Sequence, residues 1–198
     1  MSSGSSPARD RGHGTVATLP AVSEQARYQV RFDWAATGAQ AVGADADVIV
    51  WVDAIASPGA RLDVDELPGG SAVVEASWPT AGAVARWVID LQQARRARMA
   101  IAVIAAGERR ADGSLRFAVE DLLAAGAVID QLAEVGLDAS SPEAAAAEAA
   151  HRGLARSLGH LLTACVTAGT TPPPPGATRR RDDLGPADVV VRRPYPAS

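Results

Sequence analysis

Asp47-Val-Ile-Val-Trp-Val-Asp53 is a continuous apolar run held between two aspartates. Its length and β-branched content favour a fully buried, parallel-type strand over a helix. Outward from it, Met99 to Ala106, with Ile101, Val103 and Ile104, repeats the pattern and is stopped by Gly107. Ser71 to Ala76 reads as another strand. Upstream, Tyr28, Val30 and Phe32 alternate with Gln29, Arg31 and Asp33, the two-residue period of a half-buried strand.

The segments between these strands have helical character. Residues 35–44 form one short Ala/Gly stretch. Ala81, Val84, Ala85, Val88 and Leu91 recur at helical spacing behind Thr80, whose hydroxyl can cap a first-turn amide. Leu122, Ala125, Gly126, Ile129, Leu132 and Ala133 form one apolar stripe that Gly136 ends. Gly126 inside that stripe costs about 1 kcal/mol relative to alanine, which predicts a close approach of the helix to the sheet. Ser141-Pro142-Glu143 opens a further alanine-rich helix with a cap, a first-turn proline and a dipole-complementing acid; a break is expected near Gly153. Strands alternating with helices predict an α/β fold: a mostly parallel sheet with helices on both faces, in a single domain.

The ends differ from this middle. Residues 1–26 are polar and breaker-rich and read as a disordered arm, leaving residues 27–169 as the α/β domain. Residues 170–198 carry four consecutive prolines and three consecutive arginines, an exposed linker with Asp188 to Val191 as a last edge strand. At 198 residues the chain is long enough for a substantial core. A net charge of −4 gives no electrostatic reason to expect nucleic acid or an anionic membrane as partner. No apolar run approaches the ~18 residues of a membrane span. Residues 1–20 lack the apolar region of a secretory signal, and the lone Cys165 fits a reducing compartment, so a cytoplasmic location is expected.

Common catalytic signatures are missing. Gly38 and Gly43 have phosphate-loop spacing, but Ala44 and Asp45 stand where Lys and Ser/Thr are required. There is no dinucleotide fingerprint and no nucleophile elbow. His13, His151 and His160 are too scattered for a known zinc spacing. What remains is a set of carboxylates at strand ends: Asp53, Glu108 just past another strand, and Glu120 with Asp121 in the first turns of a helix. In a parallel sheet these places converge on the rim formed by the carboxyl ends of the strands, where ligands bind. Such acids suit an oxygen-liganded Mg²⁺, with helix amides to receive a phosphate. Plainer readings stand beside this: Asp53 as a strand stop, Glu120 and Asp121 as dipole-complementing acids, Glu108 as a solvated acid, Ser57 as a turn residue and Thr80 as a cap.

Ala102-Val-Ile-Ala-Ala-Gly-Glu108, followed by Arg116-Phe-Ala-Val-Glu-Asp-Leu-Leu-Ala-Ala-Gly-Ala-Val-Ile129, resembles the 2-phosphosulfolactate phosphatase family, as does the aspartate-ended strand 47–53. The likeness covers roughly residues 27–165. It implies an Mg²⁺-dependent phosphatase that converts 2-phosphosulfolactate, or a similar small phosphorylated organic acid, to sulfolactate and phosphate, a step towards coenzyme M. On that resemblance Asp53, Glu108, Glu120 and Asp121 would be catalytic, with Asp53, Glu120 and Asp121 holding the Mg²⁺. Ser57, Thr80, Gly82 and Gly107 would contact the phosphate. The family's arginine- and threonine-rich loop after the first aspartate is replaced here by Ala54-Ile-Ala-Ser-Pro-Gly59. A non-catalytic homologue that keeps the fold for binding or scaffolding is the alternative, and homo-oligomerisation is left open.

Overall fold

The computed structural model describes residues 1, 24–56, 62–171 and 189–196. A five-stranded sheet runs in the order β1 (Val30–Trp34), β4 (Ile101–Ala105), β2 (Val48–Val52), β3 (Ala72–Ala76) and β7 (Val190–Arg193). The first four strands are mutually parallel, with Val50 opposite both Val74 and Val103. The last is antiparallel to β3. A two-stranded hairpin, β5 (Glu108–Arg109) and β6 (Leu115–Arg116), rises from the end of β4. The fold is therefore α/β with a mostly parallel, mixed sheet.

Helices cover both faces. Helix α1 (Ala35–Gly43) places Ala39 and Val42 on Ile49, Val73, Ala102 and Ile104. On the opposite face α2 (Ala81–Arg95) and α3 (Val119–Glu134) bury Val84, Val88, Val128 and Ile129 against Val48, Val50, Val74 and Val103. Each such aliphatic side chain taken fully from water contributes about 1.5–3 kcal/mol. Helix α4 (Pro142–Leu154) lies on α3, and α5 (Leu158–Ala164) inserts Leu158 and Leu162 against Leu123. With α3 sandwiched between the sheet and α4, its burial extends beyond one stripe to Leu123, Ala124 and Val128.

Three local expectations change. Strand β1 is covered on both faces: Arg31 is only 2% exposed, because its guanidinium donates to the carbonyls of Tyr28, Val42 and Ala26 and to Asp45. Its position opposite the apolar face reflects a satisfied buried cation, not solvent. Gly126 serves a helix–helix contact, since a Cβ there would sit 2.1 Å from the Ala147 carbonyl oxygen of α4. Thr80 does not cap α2; its hydroxyl turns back to accept from the Ser77 amide at 2.9 Å. Ser141 does cap α4, accepting from the Ala144 amide at 3.1 Å.

The edges are also tied. Ahead of Arg27, the Glu24 amide donates to the Ala41 carbonyl at 2.9 Å. At the other edge β7 is held by side chains as well as by its ladder. Arg192 forms a two-pronged pair with Glu75 at 2.8 and 2.9 Å, and Arg193 donates to the carbonyls of Ser71, Val64 and Pro68. The Tyr195 hydroxyl donates to Asp47 at 2.9 Å while Arg95 lies 3.9 Å over its ring. No helix among the described residues is long and apolar enough to cross a membrane.

Candidate functional site

The topology brings the strand-end acids to one place. Asp53 follows β2, Glu108 opens β5 just past β4, and Glu120 and Asp121 lie in the first turn of α3. Asp121 is the junction. It is 4% exposed, and its Oδ1 accepts from the Ala54 amide at 2.8 Å while its Oδ2 accepts from the Gly107 amide at 2.9 Å. Gly107 is required for this turn: its φ is +63°, and a Cβ there would meet Leu115 at 2.5 Å and the Arg116 carbonyl at 3.2 Å.

Negative charge accumulates here around Asp53 and Asp121. Burial, then the nearby charge of Glu75, with smaller effects from Glu120 and Glu108, pushes the Asp53 carboxyl up to about 6 against the pull of the Ile55 amide. Burial first, then the charges of Asp53 and Glu120, pushes Asp121 up to about 7, although the Ala54 and Gly107 amides oppose it. A carboxyl such as that of Asp53, titrating near neutrality, can both give and take protons, the property required of an acid–base group.

The other two acids are differently placed. Arg116 holds Glu108, with Nε at 2.7 Å and Nη2 at 2.5 Å from Oε2. The same Nη2 donates to the Thr167 hydroxyl at 2.7 Å and stands 3.9 Å from Glu120. Thr167 in turn donates to Oε1 of Glu120. Glu120 is 2% exposed, and its Oε2 has no hydrogen-bond partner. Burial, with the charge of Glu120 adding to it, holds the Cys165 thiol above its usual range, which disfavours a nucleophilic thiolate.

Arg116 and Thr167 were not legible as site residues. Arg116 does carry a weak signal, since it lies opposite Glu108 across a short hairpin, where oppositely charged residues pair. Thr167 has none; it arrives through the packing of α5.

The expected phosphate contacts separate. Gly107 belongs to the acid rim. Gly82 lines a cleft of about 130 Å³ between α2, α3 and α4, with Trp78, Pro79, Asp130, Gln131 and His151, and none of the four acids borders it. Trp78 and His151 form one wall, their ring centroids 4.4 Å apart. The Thr80 hydroxyl is engaged with Ser77, and Ser57 lies outside the described residues.

Charge at the rim would favour a cation, and the orphaned oxygen of Glu120 points the same way. The ligand geometry does not follow. Asp121 spends both oxygens on amides, Glu108 is held by Arg116, and Glu120 is tied to Thr167. Among the described residues no three His, Cys, Asp or Glu side chains are grouped to hold a metal ion. As arranged, the acids do not make a magnesium site. A scan against protein-family models and a search of curated proteins each find no match to this chain.

Proposed function

We propose that the chain is a cytoplasmic phosphoric monoester hydrolase acting at the acid rim on 2-phosphosulfolactate or a similar small phosphorylated acid. One observation carries this reading: Asp53 lies at the carboxyl end of a central buried strand with its carboxyl pushed up to about 6, beside two strand ends joined by Asp121. The resemblance over residues 27–165 supplies the substrate class.

In such a hydrolysis water attacks phosphorus and the phosphorus–oxygen bond to the organic acid breaks. The departing oxygen needs a proton, and the attacking water loses one. Asp53 is suited to deliver the first in its protonated form and to recover the second. Magnesium, implied by the resemblance alone, enters as a variable of the assay.

The test is a phosphate-release screen over small phosphorylated acids, with and without Mg²⁺. Release is expected from at least one, falling about 100-fold or more in Asp53→Asn, the scale of a lost acid–base group. No release by folded protein would leave the second reading, a fold kept for binding or scaffolding. That reading is favoured by the Glu108–Arg116 pair and by the full engagement of Asp121 with backbone amides.

A further inference from the structure

We propose that Asp121 is a positioning residue, neither a metal ligand nor a proton carrier, whose carboxylate staples the loop after β2 to the loop after β4. The argument is an accounting of backbone donors. Strands β2 and β4 are parallel neighbours whose ladder ends with Val52 opposite Ala105. Past that pair the Ala106 amide still finds the Val52 carbonyl at 2.8 Å, and the Asp53 amide finds the Ala76 carbonyl at 3.2 Å. The next donors, Ala54 and Gly107, lie on two diverging segments.

Ala54 is 6% exposed, so an unpaired amide there would carry the full cost of a buried donor. Asp121 meets both needs at once, one oxygen for each amide, at 2.8 and 2.9 Å. Its own place is fixed by the first turn of α3, whose next turns are buried against the sheet. The two amides are direct chain neighbours of Asp53 and Glu108 respectively, so the staple sets the spacing of those acids. A neutral amide in its place cannot do the same, because Asn offers one acceptor and one donor to two donors.

This deepens the reading above and rests on it for the chemistry that Asp53 performs; the staple itself is tested independently of turnover. The experiment is residue-resolved amide hydrogen exchange by NMR on the full chain, with Mn²⁺ titration as a second readout. In the wild type the Ala54 and Gly107 amides are expected to exchange far more slowly than in an unfolded chain. In Asp121→Asn at least one should exchange about tenfold faster or more, the effect of losing one charge-assisted hydrogen bond. Any Mn²⁺ affinity should stay at the wild-type level.

Wild-type amides exchanging at unfolded-chain rates would overturn the proposal, whether or not the variant folds. So would an Asp121→Asn protein that keeps both amides protected, or one that loses Mn²⁺ affinity while both stay protected. Phosphate release separates the two readings. An inactive protein with protected amides keeps the staple and discards the hydrolase; an active protein with unprotected amides does the reverse.

Discussion

Arg116 reaches across the β5–β6 hairpin to Glu108 at 2.5 Å, and through that contact a single cation faces both Glu108 and the buried Glu120. Arg116→Met keeps most of the aliphatic stem and removes the charge. It leaves Glu108 and Glu120 without their cation and Thr167 without its donor. A loss of about 1–3 kcal/mol is expected in urea unfolding, because the pair is part-buried and removing its cation leaves Glu108 and Glu120 uncompensated. A loss under about 0.5 kcal/mol, the range of ordinary surface substitutions, would show that the contact is idle.

Arg31 and Asp45 form an asymmetric pair, with 2% and 54% of the two side chains exposed. Arg31→Met deprives the Tyr28, Val42 and Ala26 carbonyls of their donor and should cost about 3–5 kcal/mol. Asp45→Ala leaves those bonds in place and should cost about 1 kcal/mol or less. Equal losses in thermal unfolding would contradict the assignment of Arg31 as a backbone-satisfying residue.

Gly126 has no room for a side chain, with the Ala147 carbonyl oxygen 2.1 Å and the His151 Cβ 2.7 Å from where a Cβ would stand. Gly126→Ala improves helix propensity by about 1 kcal/mol yet must push α4 away from α3. Overpacking of this kind costs about 1–3 kcal/mol, so the net change should be destabilising. A raised melting temperature would mean that α4 moves freely on α3.

The rim acids set a pH dependence of stability. Asp53 at about 6 and Asp121 at about 7 both lie above the ordinary aspartate value of 3.8. Between those values the folded chain holds protons that the unfolded chain has released, so stability falls as pH rises. Their contribution is fully present below 3.8 and is lost as pH rises through about 6 for Asp53 and about 7 for Asp121. Asp53→Asn removes one share, so its melting temperature relative to wild type should climb by about 2–4 °C or more from the acid to the neutral end of this window. A difference that does not change with pH would refute the raised carboxyl. The same variant is expected to lose turnover, which would make Asp53 a case of activity held at the expense of stability.

Much of the architecture could be read directly from the chain. Runs such as Val48 to Val52 and Ile101 to Ala105 have no polar face, and only a strand buried on both sides accommodates that pattern. Strand β1 misled for the opposite reason: Gln29 and Arg31 look solvent-facing, but the carbonyls of Ala26 and Val42, from the segments before and after the strand, satisfy Arg31. The rim acids were legible because strand ends and helix starts fix where Asp53, Glu108, Glu120 and Asp121 must lie. Their individual engagements were not, since a carboxylate's partner depends on which loops diverge beside it. Helix capping failed at Thr80 because the preceding turn, closed by Ser77, competes for the same hydroxyl.

Strand β7 has a bearing on handling the protein. It lies along β3, whose Val73 and Val74 are fully buried, and brings arginines and prolines to what becomes the outer margin of the sheet. A chain cut short of Val190 would retain the parallel strands and their helices but present the main chain of β3 as an open template. Such a fragment should remain structured and become sticky, pairing margin to margin and precipitating as its concentration rises.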